Sequence, residues 1–227
     1  MKKQKFKNYL LILTGFLFLA GVAYIINDQQ ISNFKKLPPV EVKEYQGKDL
    51  SKISDFHENS IKGPQYINKD DYRLKILGLE GGEVDFAYDD IIKNHPSYQK
   101  VVTLNCVEGW SVNILWEGVK IKELIDQNKI TADKNTVIFR AYDGYSTSFP
   151  LSYILDNDLL LAYRINGDQL PPERGFPFQL VAESKWGYKW IKWITEIEFS
   201  SDSNYQGYWE SRGYSNNGDL DKNFFSN

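Results

Sequence analysis

Residues 102–125 read VTLNCVEGWSVNILWEGVKIKELI. An apolar, β-branched run leads into a cysteine, and a glycine and a tryptophan follow it. The pattern predicts a buried strand over residues 99–105 and a short helix over residues 121–127, with Cys106 just past the end of the strand. Cys106 is the only cysteine in 227 residues. No intrachain disulfide can form, so the fold must rest on packing alone. By position, a lone cysteine after an apolar strand reads as a small buried hydrophobe, and a chemical role needs further support.

Upstream, YRLKILGLEGGEVDFAYDD (residues 72–90) alternates Tyr72, Leu74 and Ile76 with polar neighbours, turns at Gly81 and Gly82, and resumes with Val84, Phe86 and Tyr88. This is a hairpin pattern, after which Asp89 or Asp90 is placed to cap a short helix ahead of Pro96. Downstream, strands are predicted over residues 136–142, 159–166, 179–183 and 193–199, with a turn-rich crossing at NGDQLPPERGFP, residues 166–177. Strands this numerous with few helical segments indicate a strand-rich α+β domain. The apolar fraction of 42% and aromatic fraction of 15% supply enough burial for a folded core. A net charge of -3 with no basic stripe beyond residue 8 leaves nucleic acid binding without an electrostatic basis.

Residues 9–26, YLLILTGFLFLAGVAYII, carry no charge; as a helix they span about 27 Å, close to a hydrocarbon core. Lys2, Lys3, Lys5 and Lys7 precede this run and Asn27, Asp28 and Gln29 follow, which predicts a single-pass anchor in the cell membrane with the bulk of the chain extracytoplasmic. A cleaved signal peptide is the rival, with Gly21 and Ala23 as small residues for cleavage; the apolar run continues past them through Ile26, which favours the uncleaved anchor. The expected organisation is a cytoplasmic basic tip (1–8), the anchor (9–26), a polar tether with Pro38 and Pro39 (27–57), one folded domain (58–215) and a tail (216–227).

Several chemistries lack material. His57 and His95 are the only histidines and have no partner at ligand spacing, which removes a zinc site and a histidine triad. Neither a dinucleotide fingerprint nor a GxxxxGK loop occurs, nor a CxxCH haem motif. Asp156 and Asp158 read as solvated loop carboxylates. Trp186, Trp190 and Trp193 read as core rather than as a carbohydrate platform.

Four stretches together resemble the oxidoreductase molybdopterin-binding domain of the sulfite oxidase superfamily, and are most similar to its periplasmic methionine sulfoxide reductase catalytic subunit branch. Residues 102–125 resemble the segment around the molybdenum-ligating cysteine, with Val-Glu and Trp-Ser following it. NGDQLPPERGFPFQLV (166–181), ESKWGYKWIKWITEIEF (183–199) and ENSIKGPQYINKDDYRLKILG (58–78) resemble the Pro-Pro segment, the segment that wraps the pterin and the first strand. The resemblance implies a mixed-sheet domain of that fold, preceded by the membrane helix. It implies Mo-molybdopterin as cofactor, a tungsten equivalent being open, in a five-coordinate centre of two dithiolene sulfurs, Cys106 and two oxygen ligands that performs oxygen-atom transfer. Cys106 is thereby the metal ligand and catalytic residue, and a soft metal centre suits a thiolate donor.

By the same resemblance the pterin contacts are Asn59, Lys62 and Gly63 near the first strand, Ala141, Arg174 and Gln179, and Lys185, Tyr188, Lys189, Trp190, Ile191 and Lys192 in the wrapping segment. Ala141, Arg174 and Gln179 stand where the reductase branch has threonine, asparagine and arginine. Residues 144–155, GYSTSFPLSYIL, read equally as a pocket mouth presenting Tyr145, Ser146 and Thr147 or as a hairpin with polar outer faces. Tyr208, Glu210 or Arg212 are expected to rim the site. The expected function is reduction of a small sulfoxide-type substrate, with oxidation of a small sulfur compound as second choice. Electrons would pass through a separate electron-transfer protein, such as a membrane haem protein. The rival is a non-catalytic anchored binding module that keeps the fold.

Overall fold

The computed structural model describes residues 41–225. The predicted anchor, the basic tip and the first part of the predicted tether lie outside them. The strands are β1 (Glu44–Tyr45), β2 (Lys48–Asp49), β3 (Arg73–Leu77), β4 (Val84–Ala87), β5 (Tyr98–Asn105), β6 (Ser111–Lys120), β7 (Thr136–Ala141), β8 (Ser146–Pro150), β9 (Leu160–Ile165), β10 (Asp168–Gln169), β11 (Gln179–Val181) and β12 (Ile194–Ser200). Among the described residues the α-helices are α1 (Tyr88–Asn94) and α2 (Leu151–Asp156), both short. Among the described residues no helix is long and apolar enough to cross a membrane.

β1 and β2 form a small hairpin, and two five-stranded sheets carry the domain. One runs β10-β9-β6-β5 with β11 also on β9; the other runs β4-β3-β12-β7-β8. β12 lies parallel to β3 and antiparallel to β7, so this second sheet is mixed. Both sheets contribute to one apolar cluster: Leu74, Ile76, Phe139, Ile194 and Ile197 from one, Trp116, Leu161, Ile165 and Leu180 from the other. Each such side chain, fully buried, contributes about 1.5–3 kcal/mol. Trp190 and Trp193 are buried and Trp186 is half-buried, so none forms an open aromatic platform.

The expected hairpin forms, with Arg73 opposite Ala87 and Ile76 opposite Val84. Its helix starts without a side-chain cap: Ala87 is the N-cap, and Asp89 and Asp90 sit in the first turn, where carboxylates favour the helix dipole. The helix predicted over 121–127 is instead a 3-10 turn, Ile121–Glu123. Sheet bonding carries into it, since the Ile121 N–H donates to the Leu159 carbonyl at 3.0 Å.

From Glu41 onward the predicted tether is docked on the domain. The Val42 N–H donates to the Asn166 carbonyl and the Ser51 N–H to the Asn113 carbonyl. Buried Asn166 donates from Nδ2 to Glu41 Oε1 and the Ser51 carbonyl, both at 2.8 Å. The predicted tail also folds back, the Trp186 N–H donating to the Gly218 carbonyl and the Leu220 N–H to the Ser184 carbonyl. Polar composition hid both segments, because main-chain bonding and a few isolated apolar anchors such as Phe56 and Phe224, with no sustained period, hold them.

Candidate active site

Cys106 sits at the tip of the β5–β6 hairpin, one residue beyond the last pair, Asn105 with Ser111. Its N–H donates to the Trp110 carbonyl at 2.9 Å, and the Gly109 N–H donates back to the Cys106 carbonyl at 3.1 Å. Gly109 has φ +88°, a left-handed conformation that glycine adopts without strain. A bridge between Asn105 and Trp186 brings the wrapping segment alongside this tip. The sulfur therefore occupies a fixed place on the wall of a cavity of about 410 Å³.

A polar shell surrounds the thiol. Asn59 Nδ2 lies 3.6 Å from Cys106 Sγ and donates to Glu108 Oε2 at 3.1 Å. The same oxygen accepts from Trp110 Nε1 at 3.2 Å. These two donors hold the Glu108 carboxyl below its ordinary pKa. Burial pushes the Cys106 thiol up, against hydrogen bonds from the Glu108 N–H and Asn59 that pull it down. Without a cation on the sulfur the group stays protonated at neutral pH, and a metal must displace that proton to bind.

Two cations line the same cavity. Arg174 donates to the carbonyls of His57 at 3.0 Å and Phe56 at 3.2 Å, and its guanidinium lies 4.8 Å from the Phe56 ring centroid. Lys192 donates to Glu58 Oε1 at 2.9 Å and to the Glu173 carbonyl at 3.2 Å. Burial lowers the pKa of both, against the pull of nearby carboxylates. Two buried side-chain oxygens that line the cavity, Ser60 Oγ and Gln179 Oε1, have no hydrogen-bond partner. Buried polar atoms are rarely left so: the Ser60 hydroxyl can donate to an anionic group, and Gln179 Oε1, an acceptor, calls for a donor such as a ring N–H. Among the described residues no cluster of three or more His, Cys, Asp or Glu is placed to hold a metal ion. A single cavity thiol, two cations and two unpartnered oxygens fit a metal that arrives with most of its own ligands on an anionic organic group.

Of the residues the sequence nominated, the cavity gathers Cys106, Asn59, Arg174, Gln179, Tyr188, Trp190, Ile191 and Lys192. Lys62, Gly63, Ala141, Lys185 and Lys189 are not on its wall. Ala141 ends β7 and donates its N–H to the Tyr145 carbonyl. Lys185 pairs with Asp219 and lies over the Tyr153 ring. Lys189, wholly buried, pairs with Glu210 at 2.6 Å. Lys185, ahead of the 3-10 turn Gly187–Lys189, and Lys189, at its end, both pair with the C-terminal segment, and residues 190–192 are left for the cavity.

The pocket-mouth and hairpin readings of residues 144–155 are both met. β7 and β8 form the hairpin and Tyr145 lines the cavity, while Thr147 is buried against Glu210. At the rim, Trp209 and Tyr214 line the cavity in place of Tyr208, Glu210 and Arg212. A 3-10 turn at Glu210–Arg212 sends Glu210 inward and leaves Arg212 exposed over the Tyr208 ring. Sequence reasoning also passed over Ser60, His57 and Trp110; the His57 and Trp110 rings lie 5.3 Å apart at the cavity. Trp110 alone carried a signal, by following the cysteine closely.

This geometry gathers one thiol, two cations and two unpartnered oxygens on the wall of one cavity. Residues 61–209 match the family described as oxidoreductase molybdopterin binding domain, and the chain belongs to that family. It is an oxidoreductase, and its cofactor is Mo-molybdopterin. An uncharacterized oxidoreductase, YuiH, of Bacillus subtilis is 32% identical over 69% of this chain and 78% of its own length. The putative protein-methionine-sulfoxide reductase subunit YedZ1 of Azospira oryzae is 31% identical over 70% of this chain and 61% of its own. Human mitochondrial sulfite oxidase is 28% identical over 70% of this chain, which spans only 34% of that longer protein. Among solved structures, the sulfane dehydrogenase SoxCD of Paracoccus pantotrophus superposes with a TM-score of 0.59 at 23% identity, covering 68% of this chain and 43% of that one. That likeness concerns the fold, a strand-rich domain of the sulfite oxidase type.

Proposed function

We propose that this chain is a membrane-anchored oxidoreductase that reduces a small sulfoxide-type substrate, with Cys106 as its protein ligand to molybdenum. The observation that carries the reading is the placement of the chain's one thiol on the wall of the cavity that also holds Arg174, Lys192 and the unpartnered oxygens of Ser60 and Gln179. When bound, the cofactor supplies two-electron redox chemistry and oxygen-atom transfer. The net reaction takes a sulfoxide, two electrons and two protons to a thioether and water, with the electrons coming from a separate electron-transfer protein.

The chain's own residues orient and tune. Cys106 gives up its proton to bind metal. Asn59 and Trp110 hold Glu108 as a carboxylate beside that sulfur, so an anionic substrate such as sulfite meets a like charge there and an uncharged sulfoxide does not. Arg174 and Lys192 would hold the anionic end of the pterin by charge-assisted contacts, and the His57 carbonyl and Glu58 keep the two side chains in place for it. Gln179 and Ser60 would gain partners from the bound cofactor. The uncharged span of residues 9–26 and the lysines before it support an extracytoplasmic domain tethered to the membrane.

The test is metal and pterin per chain, by plasma mass spectrometry and pterin fluorescence, for the wild type and Cys106→Ala produced in a host that loads a known relative, followed by viologen-coupled sulfoxide reduction. Near-stoichiometric molybdenum in the wild type and its loss or altered spectrum in Cys106→Ala is the expected result. A loaded Cys106→Ala protein with an unchanged molybdenum spectrum would overturn the ligand assignment, and a loaded wild type inert to sulfoxides would overturn the substrate.

A further inference from the structure

The family match ends at residue 209, yet the chain after it contributes to the cavity. Tyr214 lines the same cavity as Cys106, beside Trp209. The two rings lie 5.1 Å apart, and Tyr214 meets Tyr188, another lining residue, at 5.1 Å. Tyr214 is backed by Phe225 at 5.1 Å and Phe224 at 6.0 Å. An aromatic surface of this kind accepts apolar groups and makes favourable contacts with a divalent sulfur.

What holds this segment is a buried ionic lock. Lys189 Nζ donates to Glu210 Oε1 at 2.6 Å, to the Ser148 carbonyl at 2.7 Å and to the Asn216 carbonyl at 2.8 Å, and both charged side chains are 0% exposed. The anchored positions, 210 and 216, flank Tyr214, and Glu210 directly follows Trp209. Tyr188 adds a hydrogen bond from its hydroxyl to the Ser215 carbonyl at 2.6 Å. Gly218 has φ +63°, and a Cβ there would come within 2.6 Å of Lys189 Cγ, so the segment closes tightly on the lysine stem. The second carboxylate oxygen of Glu210 has no partner. A buried ion pair with an orphaned oxygen is a poor way to gain stability, since apolar residues would serve as well or better; it does fix one geometry.

We propose that residues 209–225 form the substrate-side wall of the cavity, with Trp209 and Tyr214 determining specificity for the apolar group of a thioether or sulfoxide and Lys189 and Glu210 as the positioning residues that set them. The choice of probe rests on the sulfoxide reading above. A bulky sulfoxide presses on this wall, and a minimal one does not.

The experiment uses the loaded full chain with methyl phenyl sulfoxide and dimethyl sulfoxide as paired substrates. In Tyr214→Ala and Trp209→Ala, KM for the phenyl compound rises about tenfold, as loss of one aromatic contact implies, while its kcat and the KM for dimethyl sulfoxide move by no more than about threefold. Molybdenum and pterin per chain stay at the wild-type level. The double variant Lys189→Met/Glu210→Leu replaces the lock with apolar groups of similar size and keeps the fold, yet shifts the same KM ratio and raises hydrogen exchange over residues 205–220. A KM ratio unmoved in both aromatic variants overturns the proposal, and so does loss of molybdenum in step with activity, which would make the wall part of cofactor binding. Should the loaded wild type turn over neither sulfoxide, the sulfoxide reading fails by itself and equilibrium binding of methyl phenyl sulfide decides the wall. Weaker binding in Tyr214→Ala upholds it, and absence of binding to the wild type overturns it as well.

Discussion

The wrapping segment KWGYKWIK carries three lysines, and the last two, three residues apart, have opposite surroundings. Lys192 lines the cavity, its side chain 14% exposed and paired with a Glu58 that is 30% exposed. Lys189 is wholly enclosed with Glu210. Burial lowers the pKa of both ammonium groups. The difference lies in what replaces water. Lys192 rests on a partner that a stronger anion can displace, whereas Lys189 has three fixed oxygens and no route out. One face of the segment is therefore available for binding, and the other is construction.

The strongest challenge to this division is Lys189→Met. It strands the Glu210 carboxylate in the interior and is expected to cost about 3–5 kcal/mol in urea or thermal unfolding. Lys192→Ala should leave folding stability within about 1 kcal/mol, because the Glu58 carboxylate it leaves behind is part-exposed and can take up water. It should instead weaken pterin retention about tenfold, the worth of one charge-assisted contact, measured as pterin released on dialysis. Equal stability losses in the two variants would erase the distinction between the faces.

Alkaline titration sharpens the buried side of the contrast. Burial against Phe176 and Phe178 raises the Tyr88 hydroxyl to about 12. The folded state thus holds this proton more tightly than the unfolded chain, whose tyrosines titrate near 10. Stability should be unaffected below about pH 10 and fall between there and about pH 12, with the tyrosinate absorbance of Tyr88 appearing only as the protein unfolds. Tyr88→Phe should retain more stability across that window. The smallest effect belongs to the open end of the scale. Asp158, with Lys122 and then Lys120 holding its pKa down to about 2, is half exposed. Asp158→Asn should change unfolding free energy by less than about 1 kcal/mol, and less still in high salt.

Much of the domain could be read before folding. The strand around Leu74 announced itself by alternation, those around Phe139 and Ile197 by apolar and β-branched content, and the hairpin at Gly81-Gly82 by its turn residues. Where the reading failed, the deciding interactions were distant in sequence. Asp89 and Asp90 looked like caps, but the strand partner of Ala87 sets where α1 begins. Residues 41–57 and 216–225 looked like tether and tail, because a segment held by main-chain bonds to Asn113, Asn166 and Ser184 shows no apolar period. Trp209 and Tyr214 were missed for the neighbours on either side of Trp209, since a local 3-10 turn decides which side chain faces the cavity.

The sequence by itself determined the strand-rich class, the single thiol and the four stretches that mark the family, because side-chain period, cysteine count and local motifs are properties of adjacent residues. Which lysine would line a cavity and which would bolt the C-terminal segment in place, and whether Glu210 would face solvent or core, only the tertiary structure decided. A charged side chain takes its role from the groups that replace its water, and those groups come from parts of the chain that sequence spacing does not bring together.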